Sequence, residues 1–159
     1  AIEASLTGHL VLSTLHTNSA IGAVTRLVDM GVDAYLLSSS LVGILAQRLL
    51  RTLCVDCKTP YAADPVARAR LGLDPEARPT LFRARGCTHC RQGYRGRTGI
   101  YELVSITPAL AGMIHQGASE PELIREARKL SCGLFQDGQR RVLDGQTSLD
   151  ELLRVTQED

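Results

Sequence analysis

Residues 7–18 read TGHLVLSTLHTN, from Thr7 through His9, Thr14 and His16 to Asn18, and they decide the fold class. Within them, residues 9–15 form a short apolar run whose length and Val and Thr content suit a buried strand of a parallel sheet. Thr17 or Asn18 then stands where a helix cap belongs. Ala20, Val24, Leu27 and Val28 follow at helical spacing, and Gly31 closes the helix. A strand feeding directly into a helix is the unit of an α/β fold, whose ligands bind beyond the carboxyl ends of the strands. Thr14 and His16, two residues apart, would leave that end on one side, placed for a phosphate or a reacting water. The competing reading of His16 is a structural hydrogen-bonding residue.

Downstream, Asp33 can cap a longer helix over residues 34–51, with Leu37, Leu41, Ile44, Leu45 and Leu49 on a broad apolar face and Arg48 and Arg51 near its end. Residues 58–86 are rich in Pro, Ala and Arg, which suggests short helical turns in an inserted loop without a core of its own. Residues 93–99 read as a basic turn, and residues 100–106 alternate like a strand. Helices are expected from Pro108 to His115, after a capping box at Ser119 and Glu122 with Leu123, Ile124, Ala127 and Leu130 on one side, and after a second box at Ser148 and Glu151.

The chain has 159 residues, 44% of them apolar and 22% charged, with a net charge of +1. Such a domain buries roughly 70% of its unfolded surface, and the charge gives no global pull toward nucleic acid or anionic lipid. The sequence shows neither a signal-peptide pattern nor an apolar run long enough to span a membrane, so a cytoplasmic location is expected.

Of the five cysteines, Cys54 and Cys57 form one C-x-x-C knuckle and Cys87 and Cys90 another, with 29 residues between the two. Two residues between thiolates let both sulfurs of a knuckle reach one tetrahedral ion, so the pattern favours structural zinc over unrelated buried thiols or a pair of disulfides. Four thiolates would fill the coordination sphere and leave no place for water, making the ion a staple. His89, inside the second knuckle, is expected to be exposed, and Cys132 to be a small buried or helix-end residue. Arg83, Arg85, Arg91, Arg95 and Arg97 fall within fifteen residues that hold no acid. The scarcity of interleaved aromatics weighs against nucleic acid as a partner there.

The stretch from Ala4 to Ala20, with AVTRLVDMG (residues 23–31), SSSLVGILAQRLLRTLC (residues 38–54) and GYRGRTGIYE (residues 93–102), closely resembles the C-terminal part of secretion ATPases of the type II/type IV superfamily. The resemblance covers essentially the whole chain, and the compact knuckle separation is similar to the type II branch. It implies an α/β fold comprising the C-terminal part of a RecA-like P-loop core, an inserted four-cysteine zinc module and a helical C-terminal subdomain. The implied boundaries are residues 1–53 for the core with its His box, 54–92 for the zinc module, 93–107 for a return to the core sheet and 108–159 for the helical subdomain.

What the resemblance implies can be placed residue by residue. TGHLVLSTLHTN matches the His box, with His9 and His16 as its two histidines, His16 near the γ-phosphate and Thr14 a sensor-like hydroxyl. Cys54, Cys57, Cys87 and Cys90 match the family's zinc ligands. Glu3 belongs to the helix before the His box and is not the catalytic glutamate. The His box follows the Walker A and Walker B elements in this family, so the sequence is expected to start just after Walker B. Consistent with that, the only lysines are Lys58 and Lys129, neither preceded by Gly, so these residues contain no G-x-x-x-x-G-K-[ST] loop. The expected parent is a cytoplasmic homo-hexamer that uses ATP and Mg2+ to drive pseudopilus assembly and protein export, working peripherally at the inner membrane through platform proteins. These residues alone are expected to be inactive. Arg26, Arg48 and Arg51 are expected to serve packing and subunit contacts. The alternatives are a pilus-assembly or competence ATPase fragment, or a stand-alone zinc-stabilised interaction module.

Overall fold

In the computed structural model, which describes residues 2–156, helices and strands are mixed along the chain. The elements are α1 (Ile2–Leu6), α2 (Gly22–Asp29), α3 (Ala34–Ser40), β1 (Gly43–Leu53), β2 (Thr59–Ala62), α4 (Pro65–Arg70), β3 (Thr80–Arg83), β4 (Tyr94–Ser105), α5 (Pro108–His115), α6 (Glu120–Ala127), α7 (Leu134–Leu143) and α8 (Leu149–Thr156). They form an α/β fold with two two-stranded sheets, β1 with β4 and β2 with β3. No helix among the described residues is long and apolar enough to cross a membrane. The chain divides into two units, Ala1–Ala46 with Tyr101–Gly133 and Gln47–Ile100 with Leu134–Asp159.

The first unit is built on helices whose ends are written in the sequence. Thr107 Oγ1 accepts the Leu110 N–H at 3.2 Å and starts α5, and Ser119 with Glu122 forms the expected capping box of α6. Helix α2 begins at Gly22, later than a cap at Thr17 or Asn18 would start it, and Ser19 Oγ accepts the Gly22 N–H at 2.9 Å. Ile21, Val24, Leu37, Val104, Leu110, Ile114 and Leu123 make the core. Leu130 lies beyond the end of α6 and is exposed, so the apolar side of that helix stops at Ala127. Glu102 points inward from β4 and is held by Arg128 Nη1 at 2.7 Å, which compensates its burial.

Two expectations fail here. Residues 9–15 form no strand, and Leu10 and Leu12 are 82% and 87% exposed. A strand needs a ladder, and no described residue supplies one to this stretch. The helix expected over residues 34–51 ends at Ser40 and gives way to β1. Ser38 and Ser39 donate to the Tyr35 carbonyl, and Ser40 donates to that of Leu36 at 2.6 Å. These hydroxyls offer the helix an alternative to its own backbone ladder. Leu41 is already extended, with ψ 128°, and from Gly43 on exposed and half-buried residues alternate. The Ile106 N–H donates to Val42 O at 3.0 Å, and the Cys54 N–H to Gly93 O at 2.8 Å, so β4 runs antiparallel to β1.

In the second unit, Leu50, Ala63, Ala67, Leu71, Leu81, Ile100, Val142, Leu149 and Leu152 bury one another. The insert, expected to hold short helical turns without a core of its own, therefore contributes to a core through β2, α4 and β3. Asp64 caps α4 by accepting the Ala67 N–H at 2.7 Å, with Pro65 at its first position. Helix α7, which has no conspicuous capping pattern, packs beside α8. Gly138 allows this, because a Cβ there would overlap Leu152 Cδ1. Ser148 caps α8 by accepting the Glu151 N–H at 3.2 Å, but Glu151 does not return the bond as a capping box would. Its carboxylate instead receives Arg51 Nη2 at 2.6 Å, the Arg51 N–H at 3.0 Å and Arg154 Nη2 at 2.8 Å. Burial alone would raise the Glu151 pKa, yet the bonds from Arg154 and Arg51 hold it down to about 2.

Candidate metal centre

Cys54 directly follows β1, and Cys90 lies four residues ahead of β4. Antiparallel pairing brings the end of β1 to the start of β4. The second ladder does the same for the inner cysteines, since β2 begins two residues after Cys57 and pairs Thr59 with Arg83, four residues before Cys87. Two ladders thus close on the same spot from both sides. Gly93 permits this tight approach: its φ is +85°, and a Cβ there would lie 2.5 Å from Ala84 Cβ.

The four sulfurs lie within 4.8 Å of one another, with Cys54 to Cys87 at 3.9 Å, Cys57 to Cys90 at 3.7 Å and Cys87 to Cys90 at 3.6 Å. Four sulfurs about 2.3 Å from one tetrahedral ion would be separated by about 3.8 Å. The observed spacing therefore fits zinc, and a full thiolate set is the donor chemistry that zinc favours.

The two knuckles differ in setting. Cys54 is 1% exposed and is tied by its N–H to Gly93, whereas Cys87 is exposed. Lys58, next to the first knuckle, donates to Gly145 O at 2.8 Å and stands 4.4 Å over the Phe82 ring. Burial pushes the Cys54 thiol up. Around Cys87 the His89 N–H pulls downward, but loss of solvent and the three neighbouring thiols push it up to about 12. At Cys90 loss of solvent also works upward, yet the Cys87 N–H and the thiols of Cys87 and Cys57 bring it down to about 7.

His89 is exposed as expected, its side chain 70% so, with Nδ1 3.6 Å from Asp56 Oδ2. Cys132 is exposed, which rules out the buried alternative expected for it, and it lies two residues ahead of α7. The five clustered arginines are all exposed, and Arg83 stands 5.5 Å over the Tyr61 ring.

His9, Thr14 and His16 are exposed on the irregular stretch between α1 and α2. His9 Nδ1 lies 3.1 Å from Thr7 Oγ1. Next to this stretch Thr17, Asn18, Ser19, Thr25, Arg26 and Glu120 line an open polar cleft of about 290 Å³. Sequence reasoning missed Lys58 and Gly93 as supports of the cysteine quartet. The Gly-rich turn at residues 93–99 was the one available signal.

The chain is matched over residues 1–154 by the family described as Type II/IV secretion system protein. It is 61% identical, over its whole length, to the Type II secretion system protein E of Pseudomonas aeruginosa. It is 52% identical over 99% of its length to the Type II secretion system ATPase E of Vibrio cholerae, and 49% identical over 98% to the Putative type II secretion system protein E of Escherichia coli K12. It spans 32% of the length of each of these relatives. The chain belongs to the type II/IV secretion system protein family, as its motifs implied.

Proposed function

From that membership we infer that the chain is the C-terminal portion of a type II secretion ATPase. In full-length form this is a cytoplasmic, hexameric motor that hydrolyses ATP with Mg2+ to drive pseudopilus assembly and protein export, peripheral to the inner membrane through platform proteins. One observation carries the reading: four thiols meet in tetrahedral spacing on a chain that relatives named for type II secretion match from end to end. Cys54, Cys57, Cys87 and Cys90 would hold structural zinc, which supplies folding energy and no reaction.

The His box would contribute to a RecA-like core whose phosphate-binding elements lie elsewhere in the full-length protein. His16 would orient water or sense the terminal phosphate, Thr14 would act as a hydroxyl sensor beside it, and His9 would complete the pair of histidines. In functional terms residues 1–53 carry the His box, 54–92 the metal module, 93–107 the return to the core sheet and 108–159 the helical subdomain.

Elemental mass spectrometry on the purified chain tests the metal assignment, with one zinc per chain expected. A reduced, folded chain without metal would overturn it. Phosphate release tests the ATPase assignment: no turnover is expected from these residues alone, and turnover abolished by His16→Ala would show the nucleotide site to be misplaced.

A further inference from the structure

We infer that the second knuckle is an oxidation site: a peroxide converts Cys87 and Cys90 to a disulfide and so releases the metal, while Cys54 and Cys57 remain reduced. The inference rests on the zinc reading above and adds a reactivity to it.

The argument begins with how each knuckle is anchored. The Cys54 N–H bonds to Gly93 O at the end of the β1–β4 ladder, the Lys58 N–H returns to Cys54 O at 3.0 Å, and Leu53 and Cys54 are buried. Lys58 fixes the far side through Gly145 and Phe82. The bonds made within the second knuckle are local: the Cys90 N–H to Cys87 O at 3.4 Å, the Cys87 N–H to Cys90 Sγ at 3.3 Å, and the reciprocal pair between Arg91 and Tyr94. Gln92, at φ 54°, and Gly93 then reverse the chain. Movement of residues 87–90 therefore breaks none of the anchors of the first knuckle.

Reactivity follows the same asymmetry. Thiolates react where they are exposed and in positive surroundings. Cys87 is exposed, Arg85 and Arg91 flank its knuckle, and Asp56 reaches the knuckle from the first pair, 3.6 Å from His89 Nδ1. The Cys87 and Cys90 sulfurs are 3.6 Å apart, so a bond of about 2.05 Å needs only a small closure. In the first step one thiolate of the pair attacks a peroxide oxygen and breaks the O–O bond. This gives a sulfenic acid and, after taking up one proton from solvent, the first water. The second thiolate then attacks the sulfenic sulfur and expels hydroxide, which a second solvent proton converts to water. Two electrons pass from the two sulfurs to one molecule of peroxide. Cys54 and Cys57 alone remain as ligands, two short of the closed set.

The test uses the wild-type chain, its zinc content first established by elemental mass spectrometry. Hydrogen peroxide is titrated in, released zinc is followed with a chromogenic chelator, and all five cysteines are mapped by alkylation and peptide mass analysis. The expected result is loss of zinc in step with a Cys87–Cys90 disulfide 2 Da lighter than the dithiol, with Cys54 and Cys57 still alkylatable. The cross-knuckle pairs are nearly as close, at 3.9 Å for Cys54 with Cys87 and 3.7 Å for Cys57 with Cys90. A first disulfide in either pair, or zinc retained after Cys87 and Cys90 are oxidised, would overturn the inference. A chain purified without zinc would instead sink the metal reading, and the disulfide map would still decide which sulfurs react first.

Discussion

Cys54, Cys57, Cys87 and Cys90 come from two places in the chain and meet within 4.8 Å. Residues 7–18 are contiguous, yet they form no ladder among the described residues and leave Leu10 and Leu12 exposed. A knuckle carries its own geometry, because two intervening residues set the reach of both sulfurs and short antiparallel ladders supply the rest. A strand is made by the ladder that its neighbours supply, and no described residue supplies one to residues 9–15. The cysteine module therefore carries its own geometry, whereas residues 7–18 hold no such local device.

The sharpest way to break this contrast is to remove the metal. Chelation, or Cys54→Ala, should cost the second unit on the order of 10 kcal/mol, seen as loss of helical circular dichroism together with loss of bound zinc. A chain that keeps its melting transition after chelation would show that the ladders suffice alone.

Next in size is Glu151→Gln, which leaves Arg51 and Arg154 facing a neutral amide. With both guanidinium groups partly exposed, about 3 kcal/mol is expected in urea denaturation, the low end for breaking a buried pair. The sign of the pH effect follows from the depressed carboxyl. Its contribution is complete above the usual carboxylate range of about 4.3, and it is lost as pH falls toward its folded value of about 2. The substitution should flatten the stability profile between about pH 5 and pH 2. Gly138→Ala should cost about 1–3 kcal/mol by pushing α7 off Leu152.

The smallest effect belongs to the histidine stretch. Thr14→Ala and His16→Ala should each change the stability of this chain by less than about 0.5 kcal/mol, since both side chains are exposed. In the full-length protein His16→Ala should lower ATP turnover while the fold is kept, and turnover unchanged by that substitution would remove the proposed role.

Where the sequence was legible, the physics was local. The helix from Pro108 to His115, the capping box at Ser119 and the cysteine knuckles each rest on local signals, and each lies where its pattern placed it. Residues 34–51 were misread because Leu37, Leu41, Ile44, Leu45 and Leu49 also satisfy helical spacing. Pairing with β4, distant in the sequence, selects the strand. The Arg51 and Glu151 cluster left no trace in the pattern, being assembled across 100 positions. Helix α7 hid behind its central glycine, whose reason is Leu152 on another helix.

The paired ends of the insert have a topological consequence. An ion held jointly at positions 54–57 and 87–90 would close a loop of about thirty residues. By the chain-entropy account that constraint alone is worth on the order of 4 kcal/mol. Its value depends only weakly on loop length, since doubling a loop costs about 0.6 kcal/mol. The turn at residues 74–78, with Asp74, Glu76 and Arg78 exposed and the Glu76 N–H bonded to Asp74 Oδ1 at 2.7 Å, lies at the tip of that loop. Extra sequence spliced there, whether a label or a foreign peptide, would be carried on a closed ring whose fastening it does not touch.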